Sequence, residues 1–212
     1  MRPCLFAILI CAFASPVLAL EMDGTSKFQI DDTTLIYDTE ITIEGDEAEI
    51  TNTDVDRLLK LLRGNPQITQ LELNSSGGSV FAGNEMARIV IDFELDTLVS
   101  GECSSSCVTI FLGGTSRRML LGSKIGFHQR QWPADAMESY YTRWSDDSGW
   151  NTPFDFASWV YEDTQSEMHT ELMYLIERGV DPVFAIKTKG VLNADEWFPS
   201  RLELTRAGVL RE

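Results

Sequence analysis

Histidine is nearly absent from this chain, with two in 212 residues, at positions 128 and 169. Cysteine is scarce as well. Of the four present, Cys4 and Cys11 belong to the first apolar segment, leaving Cys103 and Cys107. That set is too small for a zinc site built from cysteine and histidine, and neither a metal nor a cofactor is expected. Basic residues number 17 against 33 acidic ones, a formal net charge of -16. Such a surplus disfavours nucleic acid and anionic membrane surfaces as partners. No lysine occurs between Ile125 and Ile186, which bears on the choice of a catalytic base. Beyond residue 20 no apolar run approaches the roughly 20 residues of a membrane span. Internal repeats, low-complexity linkers and nucleotide-binding motifs are also missing.

What is present suits one globular domain: 43% apolar residues, 10% aromatics and a length that supports a single sizeable core. The first nineteen residues, MRPCLFAILICAFASPVLA, stand apart. Arg2 precedes an apolar run, and Val17 and Ala19 sit at small-residue cleavage positions. This pattern predicts a secretory signal peptide cut after Ala19, with a periplasmic or secreted product carrying no membrane anchor. Cys11 follows Ile10, too large a residue for a lipid-attachment site. In an oxidising compartment Cys103 and Cys107, four apart, form a candidate disulfide. Two small buried thiols beside a helix start would explain the spacing equally well.

Residues 20–34 read as a polar lead-in and 35–212 as the domain. Around Gly45 the pattern alternates in strand fashion. VDRLLKLLRGNP is helical, capped from Thr53 or Asp54 and ended by Gly64 and Pro66. ITQLELNS is a strand, SGGS a turn, VFAGNEMARIVIDF a helix and LDTLVSG a strand. Val108 to Leu112 reads as a short buried helix, and RRMLLGSKIGFHQ as two short strands about Gly122 and Ser123. This alternation argues for βαβ units and a mainly parallel sheet. Residues 129–153, rich in Trp, Tyr and Asp, are expected to form a long irregular insertion. Residues 154–178 are expected to form a long helix with an acidic outer face.

Three features fall at predicted strand ends, where ligands gather in parallel α/β sheets. Gly77 and Gly78 let backbone amides approach a ligand and point outward. Ser104, Ser105 and Ser106 open a helix, where a hydroxyl meets the positive end of the macrodipole and the next N–H is free. All three serines are also good N-caps, so the segment alone does not decide between capping and chemistry. His128 closes the strand IGFHQ.

The stretches LNSSGGSVFAGNEMA, GECSSSCVTIFLGG and RRMLLGSKIGFHQ resemble the Clp-type serine peptidases of the Clp/crotonase superfamily, over roughly residues 35 to 130. That family shows an Asn-Ser-Pro-Gly-Gly turn, an Ala-Ser pair opening a helix, and a strand closing on His-Gln. The resemblance implies a Clp/crotonase-like ββα spiral in a single domain. It implies Ser105 as nucleophile, His128 as base, and backbone N–H groups of Gly77 or Gly78 and of Ser106 as oxyanion donors. The orienting acid falls on Asp195, with Glu196 as its rival. Ser75-Ser76 departs from the family's Ser-Pro, and the region after His128 differs from the family's ring-assembling handle. A Ser–Lys dyad is disfavoured, because Lys124 lies on the same strand as His128 but further from its carboxyl end.

The expectation is therefore an exported, ATP-independent hydrolase that cleaves peptides or unfolded protein by a Ser-His-Asp mechanism, with homo-oligomers as a further implication. The competing expectation is a non-catalytic binding or assembly module on the same fold.

Overall fold

The computed structural model of the chain describes residues 26–41 and 46–212. The expected signal peptide, residues 20–25 of the lead-in and the turn at Gly45 lie outside the described residues. The first element begins inside the expected lead-in: β1 (Phe28–Asp31) forms an antiparallel hairpin with β2 (Thr34–Asp38). Phe28 is buried and its ring stacks on Tyr37 at 4.5 Å. Only that partner strand makes so short and polar a segment a strand.

From β2 onward strands and helices alternate: α1 (Asn52–Gly64), β3 (Gln70–Ser75), α2 (Val80–Asp92), β4 (Asp96–Ser104), α3 (Ser106–Leu112), β5 (Arg117–Met119) and β6 (Lys124–Gly126). The sheet runs β1-β2-β3-β4-β5, and β6 pairs with the far end of β4. Every pairing after the hairpin is parallel. Register explains the core. Leu35, Leu71 and Thr97 stand side by side, as do Tyr37, Leu73 and Val99, and all six are buried. Successive side chains on a strand face opposite ways, so these positions share one face, against which Leu58, Met86 and Ile110 of the helices are buried.

A buried polar network ties the hairpin to α1. The Lys27 ammonium and the Asp54 carboxylate lie 3.2 Å apart, and the Tyr37 hydroxyl donates to Asp54 at 2.9 Å. Burial, then the Asp54 charge, pushes the Tyr37 hydroxyl far above the usual tyrosine range. Asp54 also accepts from the Thr51 N–H, so the helix is capped from Thr51 and not from Thr53 or Asp54 itself. Removing one partner of such a buried pair costs about 3–5 kcal/mol, because the other charge is left stranded.

Residues 129–153 are not irregular throughout. They contain α4 (Ala134–Ser148), which buries none of its residues, followed by α5 (Pro153–Glu177). The junction has local causes: Gly149 ends α4 in a left-handed conformation, and Thr152 and Asp155 form a capping box with Pro153 in the first turn. Aromatic rings join the two helices: Tyr140 of α4 lies parallel to Trp159 of α5 at 6.1 Å, and Trp150 in the junction packs tilted against Phe156 at 4.9 Å. The chain returns through α6 (Pro182–Thr188) and α7 (Arg201–Arg206). At its carboxyl end α3 is held by arginines: Arg178 donates to the carbonyls of Leu112 and Gly113, and buried Arg117 donates to Leu112 and Gly208. Burial, then Arg211 and Arg178, pushes the Arg117 guanidinium down to about 10. These cations complement the negative end of α3, whose amino end faces the candidate site. Among the described residues no helix is long and apolar enough to cross a membrane.

Candidate active site

Ser105 is the one residue between β4 and α3. Ser104 still pairs with Gly126 of β6, and Ser106 is already helical, so Ser105 alone must turn the chain. It does so at φ 55 and ψ -126. That is a strained backbone for a residue with a side chain, of the kind found at functional sites. A disulfide joins Cys103 to Cys107 directly across this turn, with Cα atoms 5.3 Å apart. Both cysteines are wholly buried.

Surroundings separate the three serines. Ser104 is 1% exposed and donates its hydroxyl to Glu102 at 2.9 Å. Ser106 is 6% exposed and donates to the Gly78 carbonyl at 3.2 Å. Only Ser105 is partly exposed, and its hydroxyl caps nothing. It lines a cavity of about 40 Å³ together with His128, Gly126 and Val108. That volume admits a water-sized group.

The glycine turn lies against this serine. A side chain at Gly77 would come within 2.7 Å of the Ser105 Cβ. At Gly78 a Cβ would lie 2.5 Å from the Ile50 backbone, and the residue's φ of +143 also requires glycine. Ile50 clamps the turn from one side, donating to the Gly77 carbonyl and accepting from the Ser79 N–H. The Gly77 N–H is taken by the Ser75 hydroxyl at 3.1 Å. The N–H groups of Gly78 and Ser106 have no hydrogen-bond partner among the described residues. Of the donors expected from sequence, these two are available to an incoming oxyanion.

His128 follows β6 on a segment clamped by the chain's last third. Phe127 exchanges two backbone hydrogen bonds with Trp197, and the Gln129 N–H donates to the Val191 carbonyl at 2.7 Å. The imidazole Nδ1 lies 2.8 Å from the Gln129 carbonyl and 3.1 Å from the Asn193 side-chain amide. Asn193 Nδ2 also donates to that carbonyl at 3.1 Å. An N–H at Nδ1 bonded to the Gln129 carbonyl leaves Nε2 as the basic nitrogen. Ser105 and His128 line the same cavity, and no hydrogen bond joins them.

The expected acid makes no hydrogen bond to this ring. Asp195 is exposed, bonds through its backbone to the Leu192 carbonyl, and makes no side-chain hydrogen bond to described residues. Glu196 lies over Gly126 and near Lys124, and no hydrogen bond joins it to the ring. Asn193 occupies the position instead. It stands 65 residues from His128, on a loop whose placement follows from the Phe127–Trp197 and Gln129–Val191 pairings. The one sequence hint was its presence in the same NADEW turn. Lys124 pairs with Glu102 at 2.7 Å and does not line the cavity. No group of three His, Cys, Asp or Glu residues suited to a metal occurs among the described residues.

No family model matches the chain, and no curated protein matches it. Solved structures do. A ClpP1 mutant from Listeria monocytogenes is 18% identical, with a TM-score of 0.50 over 76% of this chain and 84% of that one. The fold is ClpP-like. At this identity the likeness concerns the backbone alone, and the chemistry rests on the residues described above.

Proposed function

We propose that the chain is a serine hydrolase that cleaves peptides or unfolded polypeptides, with Ser105 as nucleophile and His128 as base. One observation carries the reading. Ser105 alone of its cluster has an uncommitted hydroxyl, on a strained strand-to-helix turn that shares a cavity with His128. Ser105 Oγ attacks the acyl carbon while His128 Nε2 takes its proton, and the N–H groups of Gly78 and Ser106 hold the oxyanion. The amine leaves with the proton from His128. Water then releases the acyl group and restores the hydroxyl. The Gln129 carbonyl accepts from the Nδ1 N–H and so sets the required tautomer, while Asn193 Nδ2 donates to that carbonyl and holds it in place. Neither supplies negative charge to the imidazolium, the part a carboxylate plays in a Ser-His-Asp triad. Export belongs to the same proposal: the leader-like first residues support it, as does a disulfide that persists best in an oxidising compartment. So does homo-oligomerisation, which sedimentation velocity on the mature chain would detect.

Mass spectrometry after a fluorophosphonate probe tests the chemistry. An adduct on Ser105, absent in Ser105→Ala and strongly reduced in His128→Ala, is the expected result. An adduct elsewhere, or none at all, removes the hydrolase reading. A non-catalytic binding module is the second reading, favoured by the missing carboxylate and by the unmade hydrogen bond between Ser105 and His128.

A further inference from the structure

A groove of about 860 Å³ opens beside the catalytic cavity, walled by the start of α2, the segment after His128, and the α4–α5 arm. The two spaces adjoin, since Val80, Arg130, Glu171 and Lys189 line both. One wall is aromatic. Trp132 meets Tyr140 edge-on at 5.3 Å, and Tyr140 lies parallel to Trp159 at 6.1 Å. Phe81, 62% exposed, stands opposite on α2.

The charges in the groove do not balance. It holds two cations, Arg130 and Lys189, and three carboxylates, Asp163, Glu167 and Glu171. Arg130 pairs with Glu167 and with Glu171, each at 3.3 Å, and Lys189 pairs with Glu171. Burial holds the Lys189 ammonium below the usual lysine range despite the pull of Glu171. Asp163 has no salt bridge or hydrogen bond to any described residue, yet it lines the groove. It stands one helical turn beyond Trp159, on the same face of α5. A carboxylate beside aromatic rings favours a cation, because the ring quadrupole and the charge attract it together.

We infer that this groove receives a basic side chain of an extended polypeptide, lysine or arginine, with Asp163 as counter-ion and Tyr140 and Trp159 as the aromatic wall. The inference rests on the hydrolase reading for its substrate class, but its test does not depend on turnover. Full-length protein carrying Ser105→Ala is titrated, with fluorescence anisotropy as readout, against two fluorescein-labelled decapeptides that differ only in two lysines replaced by norleucine. The lysine peptide is expected to bind about tenfold tighter, as one well-placed cation–aromatic and ionic contact provides. Asp163→Asn should abolish that preference. Glu162→Gln, on the exposed side of α5, removes the same charge outside the groove and should leave the preference intact. Equal affinity for the two peptides overturns the inference, as does tighter binding of the norleucine peptide, which would assign the groove to apolar side chains. Equal weakening by Asp163→Asn and Glu162→Gln overturns it too, since diffuse attraction to an acidic protein would then suffice. A missing fluorophosphonate adduct on the wild-type chain would sink the hydrolase reading and leave the binding result standing.

Discussion

Opening the bridge across the nucleophile turn is the perturbation whose size follows most directly from the structure. Cys103 and Cys107 are four apart in sequence, so their bond closes a loop of about five residues. Loop closure of that length removes about 7 cal/mol/K of entropy from the unfolded chain, or about 2 kcal/mol at 25 °C. For a domain of this size that amounts to a melting temperature lower by about 4–8 °C. A second effect is local. Ser105 is held at φ 55, a conformation that costs about 1–3 kcal/mol and persists only while its surroundings impose it. With the bridge gone, relaxation by that amount leaves the competent turn populated about 5- to 150-fold less. The double variant Cys103→Ala, Cys107→Ala should therefore melt lower by the stated margin. Its fluorophosphonate labelling should slow at least about fivefold at temperatures where it is fully folded. Calorimetry and timed labelling measure the two effects separately. A melting temperature unchanged within about one degree, together with an unchanged labelling rate, would falsify the view that the bridge holds the turn.

Three further outcomes are expected. Asn193→Asp sets a carboxylate at the imidazole Nδ1, 3.1 Å from the present amide, and should raise the labelling rate of Ser105 by about tenfold, while Asn193→Ala lowers it; a rate indifferent to both substitutions would remove Asn193 from the site. Gly78→Ala forces a Cβ to 2.5 Å from the Ile50 backbone at a φ of +143, so urea unfolding should show a loss of at least about 2 kcal/mol and Ser105 labelling should disappear. Burial pushes the Tyr174 hydroxyl up to about 12, against the pull of Arg178 and Arg117. Its contribution to stability is thus complete below pH 10.0, the ordinary tyrosine value, and is lost as pH rises toward about 12, because the unfolded chain releases a proton that the folded chain keeps. Tyr174→Phe should flatten that fall in urea midpoints between about pH 10 and 12, at the cost of the 2.8 Å bond to the Thr109 carbonyl; an unchanged slope contradicts the assignment.

The alternation of strands and helices from residue 34 to 126 was legible because its cause is local. Period-two and period-3.6 patterns record which face of each element is buried. Where an element buries nothing, that record is missing. The helix Ala134–Ser148 has no buried residue and reads as a loop until its rings are seen stacked on the next helix. Phe28–Asp31 reads as lead-in for a related reason, since its pairing comes from the following strand rather than from its own pattern.

The site divides along the same line. Residue order alone brought a paired-glycine turn, a serine cluster and a histidine to neighbouring strand ends, because parallel strands deliver their carboxyl ends to one edge. Only the tertiary structure separated Ser105 from its neighbours, since folding buried Ser104 and brought the Gly78 carbonyl, 28 residues away, to the Ser106 hydroxyl. It likewise set Asn193, and not Asp195, against His128: a side chain's partner across 65 residues is chosen by how a loop is clamped, which local sequence does not encode.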